Sequence, residues 1–259
     1  DGVADVRLVR TDKMNALDDA MFNGLLDAGE KLKADKSVRA VVLSGEGRAF
    51  CAGLDMGNFG RMASSEKPAG GESTVTSRLA QRSHGISNRA QYAAMVWREI
   101  PVPVIAAVHG VAFGGGFQVA LGPDIRYAAP GTRFSVMEIK WGLIPDMGLS
   151  LFLPALMRAD QAKELILTAR EVPAQEAERI GLATRVEADP LAAARAMAAR
   201  LAGVSPEVLR DGKHLVQACW PGTPESLTLE AELQAAILGS AQQIAAVAAN
   251  LARRRPDPG

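Results

Sequence analysis

Two glycine-bearing bends in this sequence could gather backbone N–H groups around a developing negative charge. In "PVPVIAAVHGVAFGGGFQVALG" an apolar run leads through Gly114, Gly115 and Gly116 into a segment of helical character. In "FCAGLD", Phe50 to Asp55, a second apolar run also ends in small residues. A dinucleotide turn requires G-x-G-x-x-G, and here Phe117-Gln118-Val119 follows the triplet, so the third glycine is absent; a nucleotide P-loop requires G-K-[ST], and no lysine stands there. What fits is a tight turn whose bare N–H groups face outward at a helix start, where the local field favours an anion. Such donors stabilise an oxygen that becomes anionic during a reaction, and two loops supply the two donors an oxyanion hole needs. The alternative is that the glycines only let strand and helix pack closely, and that both bends are ordinary strand exits. Behind the triplet, where an enzyme of this kind could use a carboxylate, stands Gln118, whose amide hydrogen-bonds but exchanges no proton near neutral pH.

The bends need strands before them and helices after them. "VADVRLVR" alternates apolar and polar residues as a half-buried strand does, and "NALDDAMFNGLLDAGEKLKAD" switches to a helical period, with Asn15 and Asp18 as its N-terminal cap. "VRAVVLSG" and "PVPVIAAV" are continuous apolar strands, "DIRYAA" is a further strand and "LATRV" another. The order predicts an α/β core with crossover connections. From Pro190 the strand signals stop, and four alanine-rich helical segments follow, punctuated by Gly203, Ser205-Pro206, Thr223-Pro224 and Gly239-Ser240. We therefore divide the chain into a core, 1–189, and a helical region, 190–259, whose apolar stripes are expected to lie on another surface or another subunit. The polar stretch from Arg61 to Asn88 has no clear period and reads as a partly helical excursion over a site.

Composition narrows the function. The chain has 259 residues, 48% of them hydrophobic, and 29 basic against 29 acidic side chains, so it has core-forming material and no basic field to attract nucleic acid. Cys51 and Cys219 stand far apart, and His84, His109 and His214 share no ligand spacing with them, which argues against a disulfide framework or a zinc site and fits a reducing cytoplasm. No apolar run reaches the roughly 18 residues of a membrane span, and no secretory leader is evident. The sequence opens without Met directly on a strand-like segment, so some N-terminal residues are expected to precede it.

Taken in order, "MNAL", "FCAGLD", "PVIAAVHGVAFGGG" and "FSVMEIKWGLIPDMG", with "QIAAVAANLARRRP" near the end, resemble the crotonase superfamily, also called the enoyl-CoA hydratase/isomerase family. The resemblance covers nearly the whole chain. It implies a crotonase-like spiral of β-β-α turns, a helical C-terminal region that mediates formation of a trimer or a dimer of trimers, and acyl-CoA thioester substrates that bring their own CoA, with no separate cofactor. It places the thioester oxygen on the backbone N–H groups of Leu54 and Gly115. It places CoA along Lys13 to Ala16 and Ala52 to Met56, Asp55 among them, with Lys13 near the phosphates.

Family hydratases flank the substrate with two glutamates that hold a water; these positions fall on Gln118 and Glu138, so one proton-exchanging group is replaced. Family isomerases need one base that takes a proton from one carbon and returns it to another, and Glu138 suffices for that. Asp146 stands where dienoyl-CoA isomerases of the family carry an acid, although those enzymes also carry one at the position of Gln118. Apart from the resemblance, Glu138 reads as a salt-bridged strand-end residue, Asp146 as a helix N-cap, and Gln118 as a group satisfying backbone atoms. His109 reads as structural, Trp141 as core or acyl-pocket wall, Cys51 as an unactivated thiol, and Arg253 to Arg255 as a charge run ending a helix or a contributor to CoA binding. The expectation is an acyl-CoA isomerase, with a slow hydratase as the alternative and a non-catalytic acyl-CoA binding protein as the alternative of another class.

Overall fold

The computed structural model describes residues 2–57, 79–219 and 224–253. A five-stranded, all-parallel sheet runs in the order β1 (Val3–Leu8), β2 (Ala40–Gly45), β3 (Val104–Val108), β5 (Ile125–Ala128), β8 (Arg185–Val186). A smaller sheet holds β4 (Val111–Phe113) parallel to β6 (Arg133–Ser135), with β7 (Val172–Pro173) antiparallel on its edge. The continuous apolar runs of β2 and β3 follow from burial on both faces. Val41, Leu43, Val104, Ala106 and Val108 enter the large core on one face, and Ala40, Val42, Ile105 and Ala107 enter a second core on the other.

On the large-core side lie α1 (Asp19–Ala34), α2 (Arg89–Glu99), the short α3 (Gly115–Leu121) and α4 (Leu149–Leu156), while α5 (Ala159–Thr168) meets the 3-10 turn Glu138–Trp141 and α6 (Ala174–Arg179) flanks the small sheet. The other face is covered by α7 (Pro190–Ala202), whose Ala194 and Ala198 lie against Tyr127 and the small residues of β2 and β3. This first alanine-rich helix therefore packs on its own sheet. Beyond it come α8 (Pro206–Cys219), α9 (Glu225–Ile237) and α10 (Ala241–Arg253). No helix among the described residues is long and apolar enough to cross a membrane.

Three local readings need correction. Asp18 alone caps α1, its carboxylate accepting from Met21 N at 2.8 Å. Asn15 is instead fully buried at φ 56° and donates from Nδ2 to the carbonyls of Glu46 (3.0 Å) and Ala49 (2.8 Å), tying the "MNAL" turn to the loop after β2. Asp146 does not cap the following helix: the cap of α4 is Gly148, at φ 99° and without a side-chain cap bond. Of the expected excursion at 61–88, residues 61–78 lie outside the described residues. Its end is the entry to α2, where Asn88 and Gln91 exchange two 2.9 Å bonds in a capping box.

Candidate active site

The two glycine bends lie side by side. Cys51 N donates to Val111 O (3.1 Å) and Phe113 N to Cys51 O (3.1 Å), a parallel bridge that brings "FCAGLD" alongside β4. Gly53 sits at φ 93°, and a Cβ there would lie 2.6 Å from Phe113 O and 3.7 Å from Gly115 N, so the first bend touches the start of α3. Gly114 sits at φ 51° and ψ −122°, a conformation only glycine adopts without strain, and turns the chain from β4 into α3. A Cβ on Gly116 would meet Cys51 O at 2.4 Å and Sγ at 2.7 Å, which fixes the spacing of the two bends.

The two N–H groups expected to act as donors are turned out of the local backbone ladders. Leu17 N donates to Gly53 O (2.8 Å) and Asp55 N to Leu17 O (3.0 Å), so Leu54 is the residue whose own N–H faces away from Leu17. The first bond of α3 runs from Gln118 N to Gly114 O (3.1 Å), which leaves the Gly115 N–H outside the helix ladder. The backbone of Gly115 is lined by Leu17 and Met147, whose Cδ1 and Sδ would stand 2.8 and 3.0 Å from a Cβ on it.

Beside these bends, Gln118 is fully buried and both ends of its amide are engaged. Nε2 donates to Glu138 Oε1 at 2.8 Å, and Oε1 accepts from Met147 N at 2.8 Å. Glu138 starts a 3-10 turn, Glu138–Trp141, rather than ending a strand, and is only 9% exposed. The amide thus clamps the carboxylate to the loop that carries Asp146, whose neighbour Met147 it holds; Asp146 itself is half-buried. A Cβ on Gly114 would lie 3.6 Å from Glu138 Oε1, so the carboxylate and the glycine bends share one space.

The residues expected along CoA are brought together by a residue the sequence reading did not single out. Arg10, just past β1, donates from Nη1 to Asp55 Oδ2 (2.6 Å) and Ala16 O (3.0 Å) and pairs with Asp18 (3.4 Å). Ala52 N donates to Met14 O (2.9 Å), and Met14 and Asn15 both have left-handed backbone. The Gly57 N–H and the Arg10 guanidinium hold the Asp55 carboxyl below its usual range. Asp55 is therefore committed to protein partners, through its carboxylate and through its N–H to Leu17 O. Lys13 is exposed near Asp55, and Met56 is half open at the surface.

The last helices close one wall. Trp141 and Leu143 pack with Val247 of α10, with Leu54 and Leu238 at the edge of the cluster. Ile144 N donates to Gln234 Oε1 of α9 (3.2 Å), and Gln243 Nε2 of α10 lies 3.5 Å from Trp141 O. Trp141 is therefore part of a buried apolar cluster against which Leu54 of the first bend also packs. His109 Nε2 pairs with Gly47 O at 2.9 Å, a structural bond. The buried Cys51 thiol donates to Asn15 O (3.0 Å), and burial pushes it up to about 12, so no thiolate forms there. Of the expected basic cluster, residues 254 and 255 lie outside the described residues, and so does the Arg253 side chain.

Comparison with known proteins bears on this geometry. The profile of the enoyl-CoA hydratase/isomerase family matches residues 1–257. A Mycobacterium bovis protein named as a probable enoyl-CoA hydratase is 37% identical over 92% of this chain and 80% of its own length. The mitochondrial Δ(3,5)-Δ(2,4)-dienoyl-CoA isomerase of Mus musculus is 32% identical over 97% of this chain and 77% of its own. The crystal structure of an enoyl-CoA hydratase/isomerase from Pseudoalteromonas atlantica superposes with a TM-score of 0.81 at 28% identity, covering 99% of this chain and 96% of that one.

Proposed function

Since the chain belongs to the enoyl-CoA hydratase/isomerase family and is an enzyme of the crotonase superfamily, we propose that it moves a carbon–carbon double bond in an acyl-CoA thioester, with Glu138 as the proton shuttle. The observation that carries this reading is the Gln118 clamp. Both polar ends of the amide are engaged, by Glu138 Oε1 and Met147 N, and an amide exchanges no proton near neutral pH, so the position supplies neither an acid nor a base to a water. One proton-exchanging group remains there, which is what a double-bond shift needs and less than water addition uses.

In this reading Glu138 removes a proton from the carbon next to the thioester or from its vinylogous position. The electron pair moves into the thioester, whose oxygen becomes an enolate held by the N–H groups of Leu54 and Gly115. Glu138 then returns the proton to the other carbon, the double bond re-forms one position along, and the carboxylate is regenerated. Asp146, tethered through Met147, is the second acid available to relay that proton. The CoA portion lies along 13–16 and 52–56, with Lys13 near its phosphates and Arg10 holding the two turns in register. The 37% identity to a protein named as a hydratase favours a second reading, in which Glu138 performs both proton transfers of a slow hydration.

Incubation with 3-enoyl-CoA and, separately, 2-enoyl-CoA distinguishes them: migration of the double bond faster than hydration is expected, and fast hydration without migration refutes the first reading. Glu138→Gln should lower both rates by about 100-fold or more while leaving CoA binding near wild type. Substantial residual turnover in that variant removes Glu138 from the role and turns attention to Asp146.

A further inference from the structure

A second concavity, of about 460 Å³, lies beneath α8, and none of its lining residues belongs to the bends or turns of the candidate active site. It opens at the far end of α3, at Leu121 and Gly122, about 10 Å along the helix from Gly115. Its size falls within the range of small-molecule sites. The walls are apolar: Leu121, Ile125, Phe152, Leu156, Val208 and Val216. Charge is concentrated in a few groups.

Three cations line the cavity, Arg98, Arg126 and Lys213, against one carboxylate, Asp124. Lys213 Nζ is paired with Asp124 Oδ2 (2.7 Å) and donates to Val102 O (3.1 Å); Asp124 also accepts from Val104 N (2.8 Å). Arg126, 3% exposed, spends its guanidinium on the carbonyls of Leu121, Pro123 and Leu182. Arg98 differs: its carbonyl accepts from Gln217 Nε2, while its guanidinium makes no hydrogen bond or ion pair among the described residues. Burial pushes down all three cations, Arg126 to about 10, which reflects positive charge held away from water with too little negative charge beside it.

We propose that this cavity binds an anionic amphiphile, a free carboxylate on an unbranched apolar chain, with the head on the Arg98 guanidinium and the chain along Leu121, Phe152, Leu156 and Val208. A carboxylate makes paired, charge-assisted bonds with a guanidinium and brings the charge the site lacks. The apolar walls take the chain. Gly212 keeps the room: it lines the cavity from the middle of α8, and no atom stands within 4 Å of where its Cβ would be.

The test is calorimetric titration of the full chain with decanoate, with decanol and acetate as probes lacking the charge and the chain respectively. Decanoate is expected to bind, and each of the other two at least tenfold more weakly. Arg98→Met should weaken decanoate at least tenfold, and Gly212→Leu, which fills the cavity and favours the helix, should abolish binding without loss of thermal stability. Both variants should turn over enoyl-CoA at the wild-type rate, since neither residue is near Glu138. The proposal is overturned if wild type does not bind decanoate, if decanol binds as well as decanoate, or if either variant binds it unchanged, which would place it in the acyl pocket instead. A change of oligomeric mass in Gly212→Leu also overturns it, because a second copy of the chain would then be what covers the cavity.

Discussion

Replacing Gln118 with Glu tests the central reasoning about the clamp. The new carboxylate would occupy the site of an amide whose Nε2 lies 2.8 Å from Glu138 Oε1, which sets the two charge centres about 4 Å apart, where like charges repel by about 4 kcal/mol at an effective dielectric near 20. That is about three decades in a protonation equilibrium, so the pair should retain one shared proton at neutral pH. The protonated partner can donate to the other across the same 2.8 Å, and Met147 N can still donate to the outer oxygen. The clamp geometry therefore survives, now as an acid and a base in contact. Such a pair can hold and activate water, and a proton-transfer partner is worth about 100 to 10,000-fold in rate. Hydration of 2-enoyl-CoA, followed by loss of enoyl absorbance, should rise at least tenfold over wild type, and the pH profile should become bell-shaped as the shared proton is lost at high pH. Hydration no faster than wild type, in a variant with unchanged melting temperature, refutes the idea that the amide is what turns this framework away from water addition.

Three further outcomes are expected. Gly115→Pro should lower turnover about 100 to 1,000-fold by removing an oxyanion donor; Gly115→Ala brings the same Cβ crowding from Leu17 and Met147 but keeps the N–H, so equal losses in both variants would remove Gly115 from the oxyanion role. Asp55 has a folded pKa below its unfolded one, so its stabilising contribution is full above the ordinary carboxylate pKa of about 4 and disappears as pH falls through the lower folded value. The melting-temperature gap between wild type and Asp55→Asn should therefore be constant near neutrality and close in acid, and a gap independent of pH would refute the pairing. Leu233 on α9 and Leu251 on α10 are exposed at 48% and 38%, and with the family's habit they motivate a homotrimer or a dimer of trimers; a monomer by light scattering at micromolar concentration counts against it.

The long apolar strands and both glycine bends were legible because burial on two faces writes a continuous run, and because positive φ at Gly53 and Gly114 demands glycine. Other parts left little trace. β6 and β7 span three and two residues, too short to show alternation. Helix α2 is buried continuously from Gln91 to Trp97, so it carries no stripe; its N-x-x-Q capping box was the available signal. Gln118 was visible as an amide in place of an acid, but which end donates depends on Met147, 29 residues away. Arg10 reaches Asp55, 45 residues away, through a contact that no local pattern encodes. Asp146 followed the grammar of a helix cap, and a glycine at φ 99° took the role.

The wall formed by α9 and α10 has a consequence in time. Trp141 and Gln243 are 102 residues apart, so at bacterial-to-eukaryotic synthesis rates of about 5 to 20 residues per second the turn that begins with Glu138 exists for roughly 5 to 20 s before its last neighbour is made. Through that interval four of the five strands and both bends are already on the nascent chain, while Trp141 and Leu143 face water and Ile144 N awaits Gln234. Glu138 already holds its bond from Gln118 in that interval, so chains cut short before α9 would emerge with the clamp made but with Trp141, Leu143 and Leu54 lacking the apolar cover that α9 and α10 bring.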